Sequence, residues 1–244
     1  MKKELKEQIK QDEFASGLEK AAAWAGTHRD ELRIGLGVAL VLAAAVGAVT
    51  YFQAQRAREA DRAFRDALSS FEAPVASELP PGSERPTGTV FASADEKYKT
   101  AAAAFDGVER RFGSSAAGLR SKYYAALARI ELKQYAEAEK ALKEIVARGS
   151  GLEPELARLA LADAYRKSGQ LDKAVEAYLG ITSNAAATIP RDYALLSAAE
   201  TLEDAKRWAE ARATYRQLIE EFPGSVYAAQ ARTRAEYLLS AVQG

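Results

Sequence analysis

The sequence predicts an all-α protein, with a single N-terminal transmembrane helix followed by a helical-repeat solenoid of about four helix pairs plus a capping helix. Three observations carry this. One is a run from Ile34 to Gln55 without a charged residue. Another is an apolar trio, one small and two large residues, that recurs along the soluble part. The last is a pair of segments, "RFGSS" (111–115) and "EFPGS" (221–225), in which a Phe precedes a Gly and a Ser and whose Phe-to-Phe spacing matches that recurrence.

Within the uncharged run, residues 34–52 are almost wholly apolar. They would span about 28 Å as a helix, close to a bilayer core. A buried core helix seldom stays apolar on every face for so long. A cleaved signal peptide is disfavoured, because 33 residues precede the run where a short basic stretch is expected. Tyr51 and Phe52 suit an aromatic interface anchor. Gly35, Ala39, Ala43 and Gly47 form a stripe at four-residue spacing, along which another transmembrane helix could approach. The Ala- and Gly-rich composition of the run would also produce such a stripe without any partner. Basic residues flank both ends (Lys20, Arg29 and Arg33 before; Arg56, Arg58, Arg62 and Arg65 after), so charge bias does not orient the span. The preceding segment, residues 1–33, holds a short amphipathic helix over 11–26, with Phe14, Leu18, Ala22 and Ala25 on one side.

Residues 53–73 continue as a helix, with Ala60, Phe64, Leu68 and Phe71 as its apolar stripe. Residues 74–92 read as a flexible loop, since four of the chain's seven prolines fall there. Residues 93–244 are the repeat domain. The trios are Ala101-Phe105-Val108, Ala138-Leu142-Ile145, Ala174-Tyr178-Ile181 and Ala211-Tyr215-Leu218. Their alanines stand 37, 36 and 37 residues apart. The i, i+4, i+7 spacing puts each trio on one helix face. Phe112 and Phe222 are 110 residues apart, three such periods. Each ends a second helix, with Gly as terminator and Ser opening the next element. Residues 225–240 then form a terminal helix whose Val226, Ala229, Ala231 and Leu238 cover the last pair.

A period of this length makes helix pairs that stack side by side and complete one another's core. The clearest unit is "LARLALADAYRKSGQLDKAVEAYLGI" (156–181), with Leu161-Ala162, Tyr165, Gly169, Leu171, Ala174 and Tyr178. It resembles the tetratricopeptide repeat, which places a small residue at the helix crossing, a Tyr three later and a Gly in the turn. Arg158 stands where the family has Trp. The unit over 192–223 lacks the turn Gly, and the unit over 123–146 reads as one residue shorter in its turn.

Chemistry is sparse. Lys+Arg and Asp+Glu are equal at 34 each, so no basic excess favours nucleic acid as a partner. The absence of Cys excludes disulfides, thiol catalysis and Cys-based zinc sites. His28, the single histidine, cannot by itself make a metal site or a dyad. No phosphate loop, nucleophile elbow or metal-ligand spacing is present, so no catalytic residue, metal, cofactor or small-molecule substrate is expected. Glu200, Glu203 and Asp204 cluster, but Lys206 and Arg207 follow and a solvated face explains them.

The expected functional surface is the concave face built by the first helices of successive pairs. The repeat register places Tyr124, Leu159 and Leu196 there. One turn later come Ala128, Asp163 and Glu200, and after them Glu131, Arg166 and Glu203. Such a face could hold a peptide or simply meet water.

The whole layout, and above all "KQDEF" leading into the anchor together with "AQRAREADRAFRDAL" (54–68), resembles a bacterial membrane-anchored tetratricopeptide-repeat-like family. That family includes the ancillary subunit of the Sec translocon. The resemblance implies an inner-membrane single-pass protein with a cytoplasmic N-terminus and periplasmic repeats. It also implies a non-catalytic scaffold or chaperone adaptor that contacts the translocon, periplasmic chaperones and exported client polypeptides. The alternatives are a structural accessory subunit of a larger membrane complex and, with inverted topology, a cytoplasm-facing adaptor.

Overall fold

The computed structural model describes residues 24, 26–80, 87–183 and 189–243. The amphipathic helix expected over 11–26 lies outside them, apart from Trp24 and Gly26. The chain divides into two units, Met1–Arg56 and Ala57–Gly244. Helix α1, Arg29–Glu72, supplies residues to both.

In the first unit, α1 carries the uncharged run. Ala and Leu favour the helix, and Asp30 and Glu31 sit at its positive end. Its large apolar side chains are exposed, with Val41 at 69% and Phe52 at 70%. Gly35, Ala39, Ala43 and Gly47 are exposed too. Among the described residues, α1 is the one helix long and apolar enough to cross a membrane.

The second unit is an all-α solenoid of the tetratricopeptide type. Residues 57–72 of α1 are followed by α2 (Ala94–Phe112), α3 (Ala116–Glu131), α4 (Tyr135–Val146), α5 (Leu152–Lys167) and α6 (Leu171–Thr182). Then come α7 (Arg191–Asp204), α8 (Trp208–Glu221) and α9 (Ala228–Gln243). Each helix from α2 onward packs on the next, as short connections require. Ala60, Phe64 and Ala67 of α1 share one core with Ala101, Phe105 and Val108 of α2. Between these two helices the chain is anchored at both ends. Val75 and Phe91 are buried and form an isolated parallel bridge, and a 3₁₀ turn spans Ala76–Glu78. Apolar anchors this short carry no periodicity, so the proline content dominates a reading from sequence.

The trios lie where the period put them. Phe105, Leu142, Tyr178 and Tyr215 are at most 1% exposed. The α3–α4, α5–α6 and α7–α8 hairpins each cross at two fully buried alanines: Ala126 with Ala138, Ala162 with Ala174, and Ala199 with Ala211. In α9 the covering residues are Ala228, Ala231, Ala235 and Leu238. Contrary to expectation, Val226 is 86% exposed, because α9 starts only at Ala228, and Ala229 is exposed, because it lies off the face formed by Ala228, Ala231, Ala235 and Leu238.

All three hairpin turns have the same length, residues 132–134, 168–170 and 205–207. Their central residues are left-handed: Lys133 (φ 60°), Gly169 (φ 78°) and Lys206 (φ 58°). The turn of the 123–146 unit is therefore not shorter. The variation in period lies in the longer connections, 147–151 and 183–190. Two units thus accept a lysine in a conformation that costs a side-chain-bearing residue about 1 kcal/mol.

Gly118 answers a different constraint. It sits in the first turn of α3, where Ser115 caps the helix by accepting from the Gly118 amide at 3.1 Å. A Cβ at position 118 would stand 2.1 Å from the Phe112 carbonyl oxygen. Gly118→Ala should destabilise the protein by about 2 kcal/mol or more, since backbone must move. Gly169→Ala, where the surroundings are open, should cost only about 1 kcal/mol, and Lys206→Gly should recover part of that amount. Thermal melts followed by circular dichroism should rank the four proteins K206G, parent, G169A, G118A from most to least stable.

Candidate functional site

The first helices α3, α5, α7 and α9 form the ridge on which a partner was expected. The left-handed turn residues fix its register. They stand 36 and 37 residues apart, so Tyr123, not Tyr124, is equivalent to Leu159 and Leu196. Tyr124 belongs to an aromatic core with Phe64, Phe71 and Phe105, at centroid distances of 5.5, 5.5 and 5.4 Å. Ala128 is fully buried and Leu196 nearly so; neither offers surface to a ligand. Leu159, Asp163, Arg166, Glu200 and Glu203 are half-buried, and Glu131 is exposed.

The charged members are joined into a ladder that runs from one first helix to the next. Glu131 of α3 pairs with Lys167 of α5 at 2.7 Å. Arg166 of α5 pairs with Glu200 and Asp204 of α7 at 3.0 and 2.8 Å. Glu203 of α7 accepts from Arg234 Nε of α9 at 3.0 Å, and Gln230 of α9 donates to Glu200 at 3.3 Å. The sign alternates helix by helix: acidic, basic, acidic, basic. Sequence reasoning named Glu131, Arg166, Glu200 and Glu203 but missed Lys167, Asp204, Gln230 and Arg234. Opposite charges recurring one repeat apart are the signal that could have found most of them.

Second-helix tyrosines reach two of the ridge carboxylates from behind, one of them outside the ladder. Tyr178 of α6 donates its hydroxyl to Asp163, and Tyr215 of α8 donates to Glu203 at 2.6 Å. Burial raises the Asp163 carboxyl above its ordinary value, and the Tyr178 bond and the charges of Lys167 and Arg166 offset this only in part. Burial, then Tyr124 and Asp163, push Tyr123 up to about 12. Burial also opposes ionisation of Glu203, but the bonds from Arg234 and Tyr215 outweigh it and hold that carboxyl below its ordinary value.

A cleft of about 350 Å³ is lined by Arg166, Glu200, Glu203, Asp204, Tyr215, Gln230 and Arg234. Glu200, Glu203 and Asp204 each hold a guanidinium there, which leaves no carboxylate poised as a general acid or base. Among the described residues no group of three or more His, Asp or Glu could hold a metal ion.

Residues 123–188 and 159–226 match the tetratricopeptide repeat family, so the chain is similar to that family over these stretches. No curated protein matches the chain. Two solved structures resemble it, both of nearly identical TPR-like repeats of a protein named as a kinesin light chain from Podosopora anserina. One is 18% identical with a TM-score of 0.48, over 61% of this chain and 87% of that one. A single-substitution variant of it is 19% identical with a TM-score of 0.48, over 61% and 86%.

These findings correct the family expectation. The matched stretch lies wholly beyond "KQDEF" and residues 54–68, the blocks that carried the likeness to the translocon family. Membership of the translocon-subunit family, a bacterial inner-membrane location and periplasmic repeats are therefore not retained. A generic anchor-plus-repeat layout is shared too widely to specify either.

The Glu203 knot gives a pH test. Its folded pKa lies below the ordinary 4.5, so its contribution is present above that value and is lost as pH falls through the folded pKa. Glu203→Gln should lose about 1 kcal/mol or more at pH 7, and the deficit should shrink steadily below about pH 4.5. Urea unfolding of parent and variant at pH 7 and under acid conditions checks this.

Proposed function

We propose that this protein is a non-catalytic scaffold tethered to a bilayer through residues 34–52, whose solenoid holds a partner protein as an accessory subunit of a larger membrane complex. On this reading residues 57–72 with α2 make a first helix pair interrupted by residues 73–93, three further pairs follow, and α9 caps them. The observation that carries the tether is exposure: the apolar side chains of residues 34–52 bury nothing on one another's behalf, and water would not tolerate so long an apolar surface. Gly35, Ala39, Ala43 and Gly47 then offer a face on which a membrane helix of another subunit can pack.

An accessory subunit is favoured over a chaperone adaptor by the ridge itself. Its charges are already paired across neighbouring first helices, which stiffens the surface and suits a fixed partner better than a succession of unfolded ones.

Two measurements test this. The full chain should stay with membranes after alkaline carbonate extraction, and a variant lacking residues 34–52 should be released. After mild detergent extraction the full chain should run in one complex of constant stoichiometry. Release of the full chain by carbonate would remove the tether, and only trace, variable co-purification would remove the subunit reading.

A further inference from the structure

Asp163 stands out on the ridge. The other carboxylates there, Glu131, Glu200, Glu203 and Asp204, each hold a Lys or Arg from a neighbouring helix. Asp163 has two cations within a turn of it, yet neither pairs with it. Lys167 turns towards α3 to reach Glu131, and Arg166 turns towards α7 to reach Glu200 and Asp204. Among the described residues the hydrogen bond to Asp163 comes from the Tyr178 hydroxyl, onto Oδ1. Oδ2 is left for an incoming donor.

Its surroundings suit a cation with an aliphatic stem. Half-buried Leu159 precedes it by one turn of α5. Half-buried Tyr123 of α3 lies close enough for the Asp163 charge to bear on its hydroxyl, and Leu127 is the ridge residue one turn further along α3. Apolar walls hold a side-chain stem, a tyrosine ring attracts a guanidinium, and the carboxylate receives its donors. Burial already penalises the bare carboxylate, so a docked cation relieves a cost the free protein carries.

Resting on the scaffold reading above, we propose that the ridge takes a basic segment of the partner protein, with one arginine side chain docked on Asp163 between Tyr123 and Leu159. Charge complementarity selects this occupant: an acidic segment would meet an unpaired carboxylate, and a neutral one would leave it desolvated and unmatched.

The test uses the full chain in a non-ionic detergent and labelled dodecapeptides on one Ala/Ser/Leu framework. They carry arginine, citrulline or glutamate at the same positions, and binding is read by fluorescence anisotropy. The arginine peptide should bind about tenfold or more tightly than the other two. Asp163→Asn should remove that preference, while Asp163→Glu, which keeps the charge, should retain much of it. Glu176→Gln, on the exposed face of α6, should change nothing. Asn can still accept from Tyr178, so D163N should melt no lower than the parent, which separates a lost anchor from a lost fold. An arginine preference that survives in D163N overturns the proposal. Equal binding of all three peptides also overturns it, while leaving a partner ridge in place. Binding of no peptide overturns the cation anchor, and a constant-stoichiometry complex would then show that the scaffold reading survives without it.

Discussion

Every hairpin of the solenoid depends on two methyl groups. Ala126 and Ala138, Ala162 and Ala174, and Ala199 and Ala211 are each 12 residues apart, and all six are fully buried. With nothing larger than a methyl at the crossing, two helices approach closely enough for the next layer to seal. That layer is Leu142, Tyr178 or Tyr215, each lying over the crossing four residues on. A larger side chain at any of the six would push the helices apart by overpacking, at about 1–3 kcal/mol. It would also unseat the tyrosine hydroxyls that reach Asp163 and Glu203. The residue of α9 at this register is Glu236, which is exposed. A carboxylate there cannot receive an alanine from a further second helix, so the α9 face is built for water or polar contact.

Packing and charge do different jobs. Each fully buried Leu, Ile or Tyr of a trio contributes about 1.5–3 kcal/mol, whereas a half-exposed ion pair contributes about 1 or less. The ladder through Glu131, Lys167, Arg166, Glu200, Asp204, Glu203 and Arg234 therefore does not hold the solenoid together. Its alternating sign matches each first helix to its proper neighbour and opposes slippage that would set like charges together. It also uses up most of the charge on the ridge. What remains for a partner is the half-buried apolar surface and Asp163, a carboxylate that the ladder does not neutralise.

The repeat was legible because core positions repeat in type as well as spacing. An alanine followed by large apolar residues at i+4 and i+7 has one physical meaning on a helix, and four copies in register leave little freedom. The ridge was legible only in outline. A slip of one residue, from judging the first turn too short, placed Tyr124 and Ala128 on the surface when they belong to the core. Turn length is hard to read when the left-handed position carries Lys133 or Lys206 instead of glycine. Which cation meets which carboxylate was hidden for another reason: partners such as Arg166 and Asp204 are 38 residues apart and belong to different repeats.

By itself the sequence determined the helical repeat, its period, the buried second-helix alanines of the trios and the apolar run over 34–52. These follow from local spacing and hydrophobicity, which act within a few turns of one helix. Tertiary structure alone decided that Val75 and Phe91 pin the Pro-rich segment, that Gly118 must lack a Cβ, and that Asp163 is passed over by both nearby cations. Each of these depends on the distance between atoms far apart in the chain, and stacking the helices is what sets that distance.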